Sequence, residues 1–424
     1  MRIQRLQLTN VRCFEKLDLS FDHEGKPRMS TLIAGPNGTG KSTVLRAIAS
    51  VFGEGGLRGG QELPVTAVRK GNEHATTRAT LIYDGGEHTG AREQRVLESS
   101  LASKGYATST SLPDVRRRHG ALMLAFGPVR LGVVRAIEAG LSGPQYETKA
   151  HGGSLAPLYG WPVDRLAELY SWIRWEDYIR LKAHVHEAHR PSVIKALAGA
   201  LDVLFDGLAT YREVDTRGQI LFETADGLVP LEDLADGLRS VFVIVAELLL
   251  RLDAAFPESQ NPTHEEALCL IDEIDAHLHP RLQRTIVPAL RELFPNVQFI
   301  ATTHSPYVVG SAERGEVVVL RRDHDTVVAD VDVPDVAGWT ADQIATSSIF
   351  GLDTTRDLRG EDALKLERDL LAKPRLSSAE TAKLHRAQDM LNRADGPTTA
   401  MVRELLAAPS KSKPAAVKKK RKAS

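Results

Sequence analysis

Apolar and polar positions alternate with two distinct periods along this chain. Ile3, Leu6 and Leu8, then Leu17, Leu19 and Phe21, fall among polar residues at the spacing of half-buried strands, so residues 1–22 read as two strands. Gly25 and Pro27 mark a turn after them. Short continuous apolar runs follow at Thr31–Ala34, Ala79–Tyr83, residues 121–130, Ala267–Ile271 and Val297–Thr302, and read as fully buried strands. Residues 316–333 predict two more. Helical spacing appears at Thr43–Ala49, at Leu166, Leu169, Trp172, Ile173, Leu181 and Val185, at Val241–Leu252, and at Leu282–Phe294, which reads as one amphipathic helix. The last hundred residues predict short helices. Strands interleaved with helices give an α/β class.

Between the strand at Thr31–Ala34 and the helix at Thr43–Ala49 lies Gly35-Pro36-Asn37-Gly38-Thr39-Gly40-Lys41-Ser42-Thr43. It fits the phosphate-binding pattern G-x-x-x-x-G-K-[ST], with the strand and helix that the pattern needs. Glycines let successive N–H groups and the helix N-terminus face anionic oxygens. Lys41 is expected to reach the β- and γ-phosphates of ATP, and the Ser42 hydroxyl to ligate Mg²⁺. The strand Ala267–Ile271 runs into Asp272-Glu273. A buried strand ends in consecutive carboxylates when a cation or a proton transfer uses them. Asp272 fits a Mg²⁺-holding role and Glu273 a general base that polarises water. Val297–Thr302 leads likewise to His304; the family resemblance given below implies that it hydrogen-bonds the γ-phosphate.

Composition narrows the class. At 424 residues with 42% apolar content the chain can bury a full core. Cys13 and Cys269 both fall in apolar runs that read as buried strands, and are expected to be inert thiols of a reducing cytoplasm. No leader pattern opens the chain, and the run Val241–Leu250, broken by Glu247, is too short to span a bilayer. Residues 411–424 hold seven Lys or Arg and no acid, which leaves 47 basic against 55 acidic residues elsewhere, a net charge of −8. That tail reads as disordered and solubilising, and any nucleic-acid contact must come from it or from a local patch. Trp161, Trp172 and Trp175 read as core or interface, and His184, His186 and His189 as solvated histidines without metal partners. His277 and His279 read as a helix-entry feature.

Together these motifs resemble the RecF/SMC/OLD-like branch of ABC ATPases. The opening Asn10-Val11-Arg12-Cys13-Phe14 is similar to that branch's start, which puts Arg12 near the nucleotide. Leu234, Gly237, Arg239 and Ser240 match its signature motif, with Ala235 in place of the serine. Ile274-Asp275-Ala276-His277-Leu278-His279-Pro280 resembles its D-loop. The resemblance implies a mixed central sheet in an ABC-type P-loop fold with a helical insertion, and a dimer sandwiching ATP·Mg²⁺. In that dimer Ala235, Asp236 and Gly237 face the partner's γ-phosphate and Asp275 lies at the seam. Nucleotide contacts carry over to Gly35, Asn37, Gly38, Thr39, Gly40, Lys41, Ser42 and Thr43. Gln61 is a candidate for the glutamine loop, and Arg130 for a residue at the nucleotide edge of the sheet.

The expected organisation is an N-terminal core part (1–130), a mainly helical insertion (131–218), a C-terminal core part (219–333), a helical extension (334–410) and the basic tail (411–424). The wording around Asp272, His304 and Gly338–Leu352 is similar to small bacterial AAA-type ATPases of Septu and retron antiphage systems. It implies a homodimer or higher even oligomer that switches a separate nuclease. A RecF-like clamp that binds DNA directly, and an ATP-stabilised scaffold with little hydrolysis, are the alternatives.

Overall fold

In the computed structural model the described residues are 2–23, 25–52, 67–84, 92–102, 105–109, 122–128, 163–182 and 193–394. Gln61, Arg130, Trp161, the histidines at 184, 186 and 189, and the basic tail lie outside them. Contacts divide the chain into two compact units, Met1–Gly351 and Leu352–Ser424.

The strands, in chain order, are β1 Arg2–Val11, β2 Phe14–Ser20, β3 Asp22–His23, β4 Lys26–Pro27, β5 Ser30–Ala34, β6 His74–Asp84, β7 Arg92–Ala102, β8 Gly105–Ser109 and β9 Met123–Phe126. They continue as β10 Thr210–Val214, β11 Ile220–Thr224, β12 Gly227–Pro230, β13 Ala267–Ile271, β14 Val297–Thr302, β15 Val317–Asp323 and β16 Thr326–Asp330. The described helices of the first unit are α1 Lys41–Phe52, α2 Val163–Lys182, α3 Val193–Phe205, α4 Asp236–Ala255, α5 Pro280–Gln283, α6 Ile286–Leu293, α7 Pro306–Val309 and α8 Ala341–Thr346. The second unit holds α9 Leu358–Leu371 and α10 Ser378–Ala394, packed through Ala363, Ala387 and Leu391.

The central sheet has the order β16-β15-β5-β14-β13-β9, with parallel pairing from β15 to β9 and an antiparallel edge strand β16. It is a mixed sheet covered by helices, the α/β class expected. Its inner strands β5, β14 and β13 are buried at every position, because both faces are covered. Along β13, Ala267, Cys269 and Ile271 enter one core, while Leu268 and Leu270 enter the other. β15 splits in the same way, Val317 and Val319 against Val318 and Leu320. Period-2 geometry thus divides one run between two cores. The first core holds α2, α3, α4 and α6, and α4 is buried on nearly every face. The second lies between α1, the central sheet and an antiparallel sheet of order β2-β1-β6-β7-β8. The residues read as an insertion, where described, therefore share the main core.

One buried polar residue staples the two sheets. Gln298 on β14, fully buried, accepts from the Ile3 N–H at 2.8 Å and donates to the carbonyls of Ile3 and Arg28, both at 3.0 Å. Buried amides persist only when satisfied in this way.

Two expectations change. Leu282–Phe294 is not one helix, because the chain breaks between α5 and α6 at Arg284-Thr285. Pro288 causes it, having no N–H for the Arg284 carbonyl and a ring that would strike it. Cys13 is not in a strand; it sits half-buried in the turn between β1 and β2, whereas Cys269 is buried in β13, and both thiols are free. Among the described residues no helix is long and apolar enough to cross a membrane.

Candidate functional site

The phosphate-binding loop joins the C-terminal end of β5 to α1. Strand β14 lies between β5 and β13, so the ends bearing Lys41, His304 and Asp272 open side by side at one edge of the sheet. The loop's three glycines serve different needs. Gly35, at φ 135°, has the Leu320 carbonyl oxygen only 2.4 Å from where a Cβ would stand. At Gly40, φ 88°, a Cβ would meet Cys13 Sγ at 2.6 Å and the Phe14 ring at 2.8 Å. Gly38, φ 78°, needs only the left-handed conformation, since nothing lies within 4 Å. The neighbouring Thr39 donates its hydroxyl to the Pro36 carbonyl at 2.9 Å.

Lys41 is buried, and its ammonium donates to the carbonyls of Gly35 at 2.8 Å and Pro36 at 2.9 Å. Burial pushes its pKa down to about 8, against the attraction of Asp272, Glu273 and Asp275. Ser42 donates to Asp272 Oδ1 at 3.0 Å, and Thr302 donates to the same oxygen at 2.6 Å. The Glu273 N–H donates to Thr302 Oγ1 at 2.8 Å. Glu273 has φ 50°, a left-handed backbone that a non-glycine residue holds only when its surroundings fix it. Thr302 supplies that fixing, and so does its carbonyl, which accepts from Ile274 N–H at 3.0 Å.

His304 is half-buried. Burial first, and then Lys41, lower its pKa, so the neutral ring is favoured, while Asp275, Glu273 and Asp272 oppose this. The Asp275 carboxylate is tied to the same turn, accepting from Thr303 Oγ1 at 2.6 Å and the His304 N–H at 3.3 Å. Gln283 on α5 donates to the Leu278 carbonyl at 2.8 Å and accepts from Ser305 Oγ at 2.6 Å. Ser305 in turn caps α7, receiving the N–H groups of Tyr307 and Val308. His279 caps α5, accepting from the Arg281 N–H at 3.3 Å.

The signature segment lies at the start of α4. Ala235 is its N-cap residue and offers no side-chain hydrogen bond. Ala235 and Asp236 are exposed, and Asp236 pairs with Arg239 at 3.2 Å. Gly237 is buried instead, and a Cβ there would stand 2.5 Å from the His277 carbonyl oxygen. Arg12 lies in the turn between β1 and β2, with a left-handed backbone at φ 47°.

The donor set fits Mg²⁺. Neighbouring oxygens of an octahedral magnesium shell lie about 3 Å apart, given metal–oxygen distances near 2.1 Å. Ser42 Oγ and Asp272 Oδ1 stand at that separation, 3.0 Å. No group of three or more His, Cys, Asp or Glu side chains suited to a metal occurs among the described residues. Thr302, Thr303, Gln283 and Ser305 escaped the sequence reading. The run Thr302-Thr303-His304-Ser305 was the available signal, since hydroxyls clustered after a buried strand need partners.

Two family models match the chain. One, described as "AAA domain, putative AbiEii toxin, Type IV TA system", covers residues 149–310, and an AAA domain model covers residues 5–102. The chain is 25% identical over 397 residues to "Septu protein PtuA" of Bacillus mycoides, covering 92% of this chain and 50% of that protein. It therefore spans about half that relative's length. "Retron Ec83 probable ATPase" of Escherichia coli is 40% identical over 88 residues, 21% of this chain and 16% of that one. Among solved structures, an SMC head domain from Thermotoga maritima aligns with a TM-score of 0.42 at 18% identity, over 78% of this chain and 98% of that one. The chain is thus similar to a Septu protein and to a retron probable ATPase, the relatives that the motifs pointed to.

Proposed function

We propose that this chain binds and hydrolyses ATP with Mg²⁺ between two copies of itself, and that the cycle switches a separate effector, a nuclease in antiphage defence. The carrying observation is the meeting of Ser42, Asp272 and Thr302 on one carboxylate oxygen, with Glu273 held beside them by the same threonine. Mg²⁺ held by Ser42 and Asp272 would neutralise charge on the β- and γ-phosphates. Lys41, deprived of water by burial, meets an arriving phosphate with little solvation to lose. Thr302 holds the Glu273 backbone so that its carboxylate can orient and deprotonate a water. Neutral His304 can hydrogen-bond that water or the γ-phosphate. Exposed Ala235 and Asp236 at the positive end of α4 are suited to meet the other copy's phosphate.

The scaffold reading draws on Ala235, whose missing hydroxyl takes one donor from that contact. The DNA-clamp reading has less support: Arg5 and Arg78 on the antiparallel sheet are paired with Asp18 and Glu98. The test compares ATP turnover and ATP-dependent assembly of the full chain and Glu273→Gln. Turnover in wild type, with a non-hydrolysing variant held in a larger assembly by ATP, supports the switch. Binding and assembly without turnover in either protein would replace it with the scaffold. A pull-down of a nuclease that depends on the nucleotide state tests the effector.

A further inference from the structure

His304 directly precedes Ser305, the N-cap of α7, and α7 is a helix of only four residues, Pro306–Val309. So short a helix is not held in place by its own hydrogen bonds, and what packs against it sets where it stands. The Gln283–Ser305 hydrogen bond holds its start. Its end is held by a different part of the chain. At Gly310, the C-cap, an added Cβ would stand only 3.1 Å from Ile344 Cδ1, so the tip of Ile344 lies against bare backbone. Val308 and Val309 are fully buried in the core that Ile344 also enters, and α8 packs on α7. The His304 turn is therefore gripped from two sides, by α5 and by α8.

Ile344 belongs to a strap, residues 331–351, that leaves β16 and returns to the first core. Val336, Ile344 and Ile349 anchor it there, all buried. Between these anchors its own polar groups lock it. Gly338, at φ 77°, makes a turn in which the Trp339 N–H donates to the Val336 carbonyl at 3.0 Å. Thr340 and Gln343 form a reciprocal capping box at the start of α8. The Thr340 N–H donates to Gln343 Oε1 at 2.8 Å, and the Gln343 N–H to Thr340 Oγ1 at 3.3 Å. Ser347 closes the other end, donating to the Ile344 carbonyl at 2.7 Å and accepting from the Ile349 N–H at 3.2 Å. A six-residue helix closed at both ends in this way presents Ile344 to Gly310 in one place.

We propose that Ile344 is a positioning residue for His304, acting through Gly310 and α7. Close-packed side chains pass a displacement on to their neighbours, because no void absorbs it. A shift of α7 moves Ser305, and His304 with it. A group that must meet a water or a γ-phosphate tolerates little of this, since a misplacement of about 1 Å can cost about 100-fold in rate. The kinetic part of the test rests on the hydrolysis reading, and the exchange part does not.

The test compares the full chain with Ile344→Val, Gly310→Ala, the double variant and a control, Ile194→Val. Ile344→Val removes Cδ1 alone, the atom that lies against Gly310. Gly310→Ala adds a methyl where that atom crowds, so the double variant should restore the fit. Ile194 on α3 is as buried as Ile344 and loses the same methyl. The measurements are kcat and KM for ATP, the dissociation constant for Mg·ATP, and amide hydrogen exchange over residues 304–312 without nucleotide. Ile344→Val and Gly310→Ala should each lower kcat about tenfold and leave KM and the dissociation constant within about twofold. Exchange over 304–312 should quicken about tenfold in both, as a locally loosened turn requires. The double variant should regain most of both losses, and Ile194→Val should match wild type. If Ile344→Val and Gly310→Ala exchange as the control does, the proposal is overturned. It is overturned too if exchange quickens while kcat holds. A wild type without turnover sinks the hydrolysis reading instead, and exchange alone then decides whether Ile344 holds the turn.

Discussion

Ser305 donates its hydroxyl to Gln283 Oε1 at 2.6 Å, and Gln283 returns an N–H to the Leu278 carbonyl at 2.8 Å. The two residues are the clasp between the D-loop-like segment and the turn that carries His304. Thr303 closes the ring, donating to Asp275 and accepting from the Ser305 N–H at 3.0 Å. Glu273 and His304 thus belong to one hydrogen-bonded unit, although 31 positions separate them in the sequence.

Breaking the clasp at either end should have the same consequence. Gln283→Leu and Ser305→Ala are each expected to lower kcat about tenfold or more with little change in KM, since they misplace groups used in the chemical step. The double variant should be no worse than the poorer single variant. Additive losses in the cycle would mean that the two act independently.

Lys41 sets a pH limit. Its pKa in the free protein lies near 8, below the ordinary lysine value, so the charged form needed by phosphate is lost as pH rises through that value. The ratio kcat/KM for ATP should therefore fall on the alkaline side of about pH 8, through a rise in KM. A profile flat to pH 9.5 would show that burial does not govern this lysine.

Ala235 leaves the first turn of α4 without a side-chain acceptor. Ala235→Ser should stabilise the chain by about 1 kcal/mol, the usual worth of an N-cap hydroxyl, and denaturant midpoints without nucleotide should move upward. If the same hydroxyl also meets the partner's phosphate, turnover rises as well.

Gly237 touches the backbone of His277, so the start of α4 and the D-loop-like segment cannot move independently. Gly237→Ala places a methyl against a carbonyl oxygen that has no flexible end to yield. Overpacking of this kind costs about 1–3 kcal/mol, and here it should also depress turnover through Glu273. Thermal melts together with ATPase rates of the folded fraction check both effects.

The strands, the phosphate-binding loop and the acidic pair were legible because each is a local pattern. Alternation, a fixed spacing of glycines before Lys41, and two carboxylates at the end of an apolar run need no knowledge of distant residues. The break at Pro288 was legible too, had the ring's clash with residue 284 been weighed against periodicity. Cys13 misled because its apolar neighbours Val11 and Phe14 flank a turn that pairing with Val68 holds in place.

The sequence by itself determined which side chains are the candidates for phosphate chemistry and that β5, β13 and β14 are buried on both faces. Only the tertiary structure decided their company. It placed β14 between β5 and β13, so that Thr302 reaches Asp272 and Glu273 together. It also turned Gln283 toward Ser305, and brought Arg69 to the Cys13 carbonyl and Arg322 to the Gly38 carbonyl. Strand order and side-chain hydrogen bonds depend on which distant segments share a core, and period and spacing carry no record of that.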